Sequence, residues 1–343
     1  MDLVRKLPTL EEVRLKLPVG QGVASAKARN DKELKDIFSG KSDKFILAVG
    51  PCSADRFDPV LDYVGRLAEL QRQVDEVIKI VPRIYTSKPR TVGNGYKGMI
   101  HQPDARKKEE NMVEGIYAVR DLHLKVVEQT GLFSVDEMLY PELIKYTADI
   151  LSYVVIGARS TENQEHRLVA SGLNVPVGVK NPVGGDVEVM FNSIETAQYP
   201  HHFVYNGYEV MSEGNIFTHA ILRGYKKNGV DVPNYDYESL LKIVDRYDER
   251  DLENPAIVID CNHSNSGKDY IKQQEIATEV LASMRKDERI RQVVKGLMIE
   301  SYIEDGCQPI NGTIYGKSIT DPCLGWEKTE RMVFEICDNL GRL

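Results

Sequence analysis

Residues 45–53 read FILAVGPCS, a short apolar run that ends in glycine and continues into reactive polar residues. Seven more apolar runs follow along the chain, and an amphipathic stretch separates each from the next. These runs are VIKIVPRIY (77–85), LFSVDEM (132–138), YVVIGAR (153–159), VPVGVK (175–180), HAILRG (219–224), AIVIDCNH (256–263) and GLMIES (296–301). Such near-continuous apolar runs are typical of strands that are covered on both faces, as in a parallel sheet.

The stretches between the runs predict helices. Asp58-Pro59 has the residue types of an N-cap and a first helical position. Thr161-x-x-Gln164 predicts a capping box for a helix that ends at Gly172. Apolar stripes at helical spacing predict two further helices, at Met112, Ile116, Val119 and Val126 and at Val333, Ile336 and Leu340.

Strands that alternate with helices imply a parallel sheet, either doubly wound or closed as a barrel. No GxGxxG motif follows the first run, so a dinucleotide-binding sheet would lack its phosphate loop. We therefore predict an α/β protein whose residues 45–343 form a (β/α)8 barrel. Residues 1–44, polar and interrupted by prolines and glycines, predict an N-terminal arm with a helix around Lys32–Phe38. The run FVYNGYEVM (203–211) predicts a β-hairpin, inserted at about 202–216 before the sixth barrel strand.

The composition of the chain indicates which binding partners and which cellular compartment to expect. The chain of 343 residues has a formal net charge of −8, which argues against nucleic acid or an anionic membrane as the main partner. Its five cysteines are widely spaced and odd in number, which is typical of a reducing compartment. The N-terminal residues lack the apolar core of a secretion signal, and no run approaches the ~18 apolar residues of a membrane span. We therefore expect a cytoplasmic protein.

All eight predicted strands end in polar or reactive residues, and in a barrel these ends face the same mouth. One set of such residues offers a thiolate, an imidazole and two carboxylates: Cys52, His263, Glu300 and, after the last strand, Asp321. This mixed donor set suits Mn²⁺, Fe²⁺, Co²⁺ or Zn²⁺ better than Mg²⁺. Taken singly, a buried free cysteine or a lone histidine is more often structural. Their shared position at the mouth favours a metal site.

A second set at the same mouth is cationic: Arg83, Lys88, Arg90, Lys97, Arg159, Lys180 and Arg223. Lysine and arginine are rarely buried without an anionic partner, so the set predicts substrates with several negative charges. Lys97 alone is better explained as a solvated surface charge. In the loop after the second strand, Pro89 stiffens the chain, and Arg90 with Thr91 can hold a second phosphate. The alternative for this loop is a positively charged turn without a ligand.

A series of motifs follows along the chain in this order: GPCS, PRIYTSKPRT, GAR with TENQ, HR and ASG, PVGVKN, ILRG, IDCNHSNS, GLMIES and YGKSITDPCLGW. Together they resemble the type I 3-deoxy-7-phosphoheptulonate (DAHP) synthases, the shikimate-pathway entry enzymes, in their amino-acid-regulated microbial branch. The resemblance runs from about residue 5 to the C-terminus. Sister enzymes that use arabinose 5-phosphate lack the KPRT segment, so its presence favours erythrose 4-phosphate as the aldehyde.

The resemblance implies a role for each matching residue. Cys52, His263, Glu300 and Asp321 match the ligands of one divalent metal ion, for which Mn²⁺ is the first expectation. Arg83, Lys88, Arg159, Lys180 and Arg223 match residues that bind phosphoenolpyruvate. Lys88, Pro89, Arg90 and Thr91 match the erythrose 4-phosphate segment. Lys88 is the expected proton donor, with Glu137 and His263 as its neighbours in proton transfer. The chain departs from the family pattern at Val92 and at Asn181–Gly185, and neither change removes one of these groups.

The implied reaction joins phosphoenolpyruvate, D-erythrose 4-phosphate and water into DAHP and phosphate. The resemblance also implies a homodimer or homotetramer and an aromatic amino acid effector, with the arm and the hairpin as the expected places for both. Cys323 lies close to Asp321 in the sequence, so we expect oxidation of the metal-free enzyme to link or block Cys52 and Cys323. The alternatives are another metal-dependent barrel aldolase or synthase, and a catalytically silent regulatory protein that binds an aromatic amino acid.

Overall fold

A computed structural model describes residues 1–90, 95–107 and 109–342 of the chain. Eight parallel strands form its wall: β1 (Phe45–Gly50), β2 (Ile78–Pro82), β3 (Val135–Glu137), β4 (Tyr153–Ile156), β5 (Val177–Lys180), β6 (Thr218–Leu222), β7 (Ile257–Asp260) and β8 (Val294–Glu300). They neighbour one another in the order β2-β1-β8-β7-β6-β5-β4-β3. Beyond the ends of β2 and β3, a parallel bridge between Arg83 and Val135 closes the ring, and the amide of Ile84 donates to the carbonyl of Val135 at 3.0 Å. The predicted barrel is confirmed.

Helices separate the strands and cover the outside of the barrel. They are α1 (Leu10–Lys16), α2 (Gln21–Phe38), α3 (Phe57–Val74), α4 (Met112–Thr130), α5 (Gln164–Ser171), α6 (Val187–Gln198), α7 (Tyr237–Asp248), α8 (His263–Ser266), α9 (Gln273–Lys286), α10 (Glu288–Val293) and α11 (Trp326–Leu340). Their apolar stripes pack on the strands because both faces of a parallel sheet must be covered. No described helix is both long enough and apolar enough to cross a membrane.

Two predicted helix starts are wrong. Helix α3 begins at Phe57 with Arg56 as N-cap, so Asp58-Pro59 lies inside the first turn, where the missing N–H of proline is tolerated. Helix α5 is capped by Asn163, whose side chain accepts from the amide of His166. The hydroxyl of Thr161 donates instead to the carbonyl of Lys180 at 2.7 Å, which ties the loop after β4 to the end of β5.

The N-terminal arm is more helical than its prolines and glycines suggest. The predicted Lys32–Phe38 segment is only the end of α2, and α1 precedes it with a capping box between Thr9 and Glu12. The last turn of α2 packs into the lower opening of the barrel, opposite the mouth. There the ring of Phe38 stacks on the ring of His219 with a centroid distance of 4.1 Å, and Tyr153 donates to Nε2 of His219 at 2.7 Å. The arm therefore closes the bottom of the barrel.

The inserted hairpin is present as two antiparallel strands, His202–Tyr205 and Tyr208–Met211. Asn206 and Gly207 at its tip both have positive φ, as the two-residue turn of a hairpin requires. The sequence did not predict two further small strand pairs: Tyr225–Lys227 with Val230–Val232, and Glu304–Cys307 with Lys317–Ser318. The first of these pairs follows β6 closely, and the amide of Lys226 donates to the carbonyl of Val183, beyond the end of β5, at 2.8 Å.

Candidate active site at the mouth of the barrel

Three metal-ligating side chains meet at the carboxyl ends of β1 and β8. One donor atom each from Cys52, Glu300 and Asp321 lies within 4.8 Å of the others. The neighbouring strands place them, since Gly50 at the end of β1 pairs with Glu300. Gly50 has no room for a side chain, because a Cβ there would lie 2.1 Å from the carbonyl oxygen of Arg83. His263 borders this cluster, with its Nε2 3.8 Å from Oε1 of Glu300.

The protonation states of these groups fit a divalent cation. Burial alone would raise the pKa of Glu300, but the positive charges of Arg83 and Lys88 hold it below its usual value. Burial lowers the pKa of His263, so its imidazole is neutral and Nε2 can donate a lone pair. Burial raises the pKa of the Cys52 thiol to about 11 without an ion, and a bound cation would favour its thiolate. The donor set therefore fits a borderline divalent metal.

Lys88 reaches into the same cluster from the loop that follows β2. Its Nζ lies 2.7 Å from Sγ of Cys52 and 3.4 Å from Oδ2 of Asp321. Burial lowers the pKa of Lys88, but the nearby Cys52, Asp321 and Glu300 outweigh it and raise the pKa above its usual value. Lys88 is therefore an ammonium group, with a proton available beside the donor cluster.

The predicted phosphate-binding cations line a cavity next to this cluster. Arg159, Lys180 and Arg223 follow or end three neighbouring strands, and they share the cavity with Glu137 and His263. Burial lowers the pKa of Arg223 and the charge of Arg159 lowers it further, although Asp260 opposes both. An anion between the two guanidinium groups would relieve this repulsion. The cavity is therefore suited to a phosphate group.

Arg83 does not line this cavity but contacts the donor cluster beside it. Its guanidinium donates to Oε1 of Glu300 at 2.9 Å and to the carbonyl of Pro51, and it stacks on the ring of Tyr85 with 3.7 Å from Cζ to the centroid. The Nε of Arg83 is buried and makes no hydrogen bond within the described residues. Arg83 thus holds the candidate metal ligand Glu300 and keeps one donor for a ligand. The sequence grouped Arg83 with the cations expected to bind phosphoenolpyruvate and did not indicate its contact with Glu300.

The segment predicted to bind the second phosphate is described in part. Pro89 lines the cavity of the cations, and Nε of Arg90 donates to the carbonyl of Tyr96 at 2.8 Å. Thr91 and Val92 lie outside the described residues. Lys97 pairs with Glu110 at the surface, as the surface-charge interpretation predicts.

Sequence reasoning missed a buried network of three asparagines behind the cations. The Oδ1 of Asn234 accepts from the amide of Gly224 at 2.7 Å, and its Nδ2 donates to Oδ1 of Asn181 at 3.2 Å. Oδ1 of Asn181 also accepts from the amide of Arg223 at 2.9 Å, and Oδ1 of Asn265 accepts from the amide of Asn234 at 2.9 Å. The network fixes the backbone at Arg223. Asn181 follows β5 directly and Asn265 lies in α8, but no local pattern indicates that they meet Asn234.

Comparison with known proteins gives one consistent result. The model of the DAHP synthetase I family matches residues 21–333. A phospho-2-dehydro-3-deoxyheptonate aldolase of Corynebacterium glutamicum is 34% identical, with 96% of this chain and 91% of the relative covered. The Trp-sensitive aldolase of Escherichia coli (strain K12) is 35% identical over 96% of this chain and 94% of its own length. A solved aldolase structure from Francisella tularensis SCHU S4 superposes with a TM-score of 0.92 at 30% identity, covering 99% of this chain and 98% of that chain.

Proposed function

The chain belongs to the DAHP synthetase I family and is a 3-deoxy-7-phosphoheptulonate synthase, and from this premise we propose how its residues bind the substrates and transfer protons. The reaction of such a synthase joins phosphoenolpyruvate, erythrose 4-phosphate and water into DAHP and phosphate. One observation carries the proposal: the donor cluster, the ammonium of Lys88 and the cavity of three cations lie side by side at one barrel mouth.

We propose that Arg159 and Arg223 hold the phosphate of phosphoenolpyruvate. Two guanidinium forks can contact several phosphate oxygens at once, and an anion relieves the repulsion that lowers the pKa of Arg223. Lys180 and the open Nε of Arg83 are then placed for the carboxylate. Both cations lie over the ring of Tyr85, whose π face stabilises their positive charges.

The aldehyde substrate is assigned to the segment from Lys88 to Thr91. Pro89 reaches the phosphoenolpyruvate cavity, so a sugar phosphate bound along this segment would present its aldehyde to C3 of phosphoenolpyruvate. Arg90 supplies the charge for the phosphate of erythrose 4-phosphate. Thr91, which lies outside the described residues, remains part of this assignment from the sequence motif.

Cys52, His263, Glu300 and Asp321 are the proposed ligands of one divalent ion, and Mn²⁺ is the ion we would test first. When bound, such an ion supplies Lewis-acid polarisation of the aldehyde oxygen or of a water molecule. The support is the cluster of three donors within 4.8 Å and the neutral His263 at its edge.

The proposed proton transfers use groups that the site already holds. As C3 of phosphoenolpyruvate attacks the aldehyde carbon, Nζ of Lys88 gives its proton to the aldehyde oxygen, which becomes a hydroxyl. Water adds at C2, and Glu137 is the neighbour that can take its proton. His263 lies beside this transfer, with Nε2 toward the donor cluster and Nδ1 toward Asp260. Phosphate then leaves through cleavage of the C2–O bond. A Cβ at Gly157 would lie 2.5 Å from the Glu137 carboxylate, so the glycine leaves room for that group to reach the cavity.

Residues 1–44 and the hairpin are the proposed surfaces for assembly into a homo-oligomer. Leu3 and Val4 in the arm and Tyr208 and Met211 in the hairpin are large apolar side chains that are mostly exposed. The family is regulated by aromatic amino acids, and we assign any such effector to the same surfaces. We also propose a cytoplasmic location, which the five free cysteines support. Light scattering of the purified protein tests the assembly, and a monomer at micromolar concentration would contradict it.

The function is tested by following phosphoenolpyruvate consumption and phosphate release in one assay. We expect turnover with erythrose 4-phosphate that stops with a chelator and returns with Mn²⁺. Arabinose 5-phosphate is the matched control and should give no turnover. Turnover with arabinose 5-phosphate would instead indicate a different metal-dependent barrel synthase. No turnover with any divalent metal would contradict the proposed site and favour a regulatory protein.

A further inference from the structure

Asp260, the last residue of β7, is a fully buried carboxylate that contacts both halves of the site. Its Oδ2 lies 3.0 Å from Nζ of Lys180 and 2.8 Å from Nδ1 of His263. Its Oδ1 accepts from the amide of Asn262 at 3.1 Å, which fixes the orientation of the carboxylate. One oxygen atom therefore faces a residue of the phosphoenolpyruvate cavity and a residue of the donor cluster at the same time.

The contact with Asp260 determines which nitrogen of His263 faces the metal donors. Nδ1 points to Asp260, so Nε2 points to Glu300. The backbone of His263 has φ of 52°, a left-handed conformation that a histidine adopts only when its surroundings impose it. A carboxylate on the far nitrogen places the proton on Nδ1 and makes Nε2 a better ligand.

The same carboxylate holds Lys180 in place. The side chain of Lys180 is buried, and its Nζ lies between Oδ2 of Asp260 and the ring of Tyr85, 5.4 Å from the ring centroid. Oδ2 of Asp260 and Nδ1 of His263 are buried, and within the described residues neither makes a hydrogen bond of favourable angle. The cost of burying these two atoms is therefore offset by the close contacts of Asp260 with Lys180 and His263. The carboxylate of Asp260 thus interacts with both the ammonium of Lys180 and Nδ1–H of His263.

We infer that Asp260 is a positioning residue that couples the two subsites. It orients Nε2 of His263 toward the divalent ion and Nζ of Lys180 toward phosphoenolpyruvate. When phosphoenolpyruvate neutralises the ammonium of Lys180, the carboxylate interacts more strongly with Nδ1–H of His263, and Nε2 becomes a stronger ligand. Because such coupling is reciprocal, the ion must strengthen the binding of phosphoenolpyruvate by the same factor. The inference rests on the proposed function, since it uses both proposed subsites.

The test measures Mn²⁺ binding by the spin-resonance signal of free Mn²⁺, with and without phosphoenolpyruvate. Erythrose 4-phosphate is left out, so no turnover takes place. In the wild type, we expect phosphoenolpyruvate to lower the Kd of Mn²⁺. Asp260→Asn should raise that Kd by about 10- to 100-fold, the usual effect of removing a carboxylate behind a metal-ligating histidine. Phosphoenolpyruvate should no longer change the Kd in this variant.

Asp136→Asn is the matched control. Asp136 is also a buried carboxylate near a strand end, and its Oδ2 lies 3.3 Å from Nε2 of His123. Within the part of the chain that the structure describes, no hydrogen bond or ion pair joins it to Lys180 or His263. We expect its Mn²⁺ affinity, and the effect of phosphoenolpyruvate on it, to match the wild type. An equal loss in both aspartate variants would overturn the inference, because burial of any carboxylate would then explain the result.

Lys180→Met provides a second route if Asp260→Asn does not fold. In this variant, the carboxylate of Asp260 loses its contact with an ammonium group and interacts with His263 alone. Mn²⁺ should therefore bind at least as tightly as in the wild type, and phosphoenolpyruvate should not alter the Kd of Mn²⁺. Weaker Mn²⁺ binding in Lys180→Met would overturn the inference. Unchanged binding in Asp260→Asn would overturn it while leaving the proposed function intact. A wild type that binds no Mn²⁺ would overturn both.

Discussion

The Nζ of Lys88 lies 2.7 Å from the Sγ of Cys52, so the candidate proton donor and a candidate metal ligand are direct neighbours. The two residues come from the loops after β2 and β1, which pair along most of their length. Adjacent parallel strands therefore bring a cation and a thiol together at the mouth. Together with the carboxylates of Asp321 and Glu300, this contact explains why Lys88 keeps its proton although it is buried.

Lys88→Met should reduce kcat by about 10²- to 10⁴-fold, the usual contribution of a positioned proton donor. Steady-state kinetics at saturating Mn²⁺ measure this loss. Lys268→Met is the matched control. Lys268 also pairs with Asp321, at 2.7 Å, but its side chain is about half exposed, so its ion pair is worth ~0–1 kcal/mol. We expect the control to change kcat by less than about fivefold, and equal losses in both variants would contradict the assignment.

Cys52→Ala should abolish turnover supported by Mn²⁺, because it removes the only sulfur donor of the proposed ligand set. Isothermal titration with Mn²⁺ should show the same loss without substrates. Full activity of this variant in metal-free buffer would show that Cys52 holds no catalytic ion.

Oxidation of the metal-free enzyme should involve Cys52 together with Cys323. Both side chains are buried, and the amide of Cys52 donates to Sγ of Cys323 at 3.3 Å. We expect a mild thiol oxidant to inactivate the chelated wild type and a reductant to restore it, whereas Cys323→Ser should resist the loss. Cys337→Ser, on α11, is the control and should stay sensitive. Equal sensitivity of Cys323→Ser and the wild type would contradict this pairing.

The sequence was sufficient to predict the residues at the mouth because their signal is local. An apolar run fixes a strand, and the next few residues must then lie at its carboxyl end. What the sequence could not show were contacts between loops of different strands. The pairing of Arg83 with Glu300 and the reach of Asn234 to Asn181 depend on how the barrel closes.

Local capping signals were less reliable than strand signals. Thr161 has the right residue type and spacing for an N-cap, but its hydroxyl donates to the buried carbonyl of Lys180 in β5. Asn163 caps α5 instead. Tertiary contacts outweighed a preference worth ~1 kcal/mol. The role of α2 was missed for a similar reason, since its stripe of Leu34, Ile37 and Phe38 is recognisable only against the open end of a barrel.

Asn234→Ala should raise KM for phosphoenolpyruvate more than KM for erythrose 4-phosphate. The substitution leaves the buried amide of Gly224 without its partner and removes one of the two donors to Oδ1 of Asn181, which costs ~1–3 kcal/mol. That cost falls on the backbone that carries Arg223, so KM for phosphoenolpyruvate should rise by roughly 5- to 100-fold. Asn339→Ala, at a half-buried position of α11 far along the chain from the site, is the control. Equal changes in both KM values would argue against a specific effect on the phosphate site.

Acid should destabilise the fold through His219 at the bottom of the barrel. Burial lowers the pKa of His219 from 6.5 to about 4, against a smaller opposing effect of the carbonyl of Phe217. The unfolded chain therefore takes up a proton at a higher pH than the folded one. The stabilising contribution is complete above pH 6.5 and is lost as the pH falls toward 4, up to ~3 kcal/mol in all.

His219→Gln tests this dependence, because the glutamine oxygen can still accept from Tyr153 but does not titrate. We expect the variant to be less stable at pH 7, since it loses the ring that stacks on Phe38. Between pH 7 and pH 5, however, the wild type should lose ~2 kcal/mol more free energy of unfolding than the variant. Urea unfolding at both pH values measures the difference. Equal losses in the two proteins would show that His219 is not the group through which acid opens the bottom of the barrel.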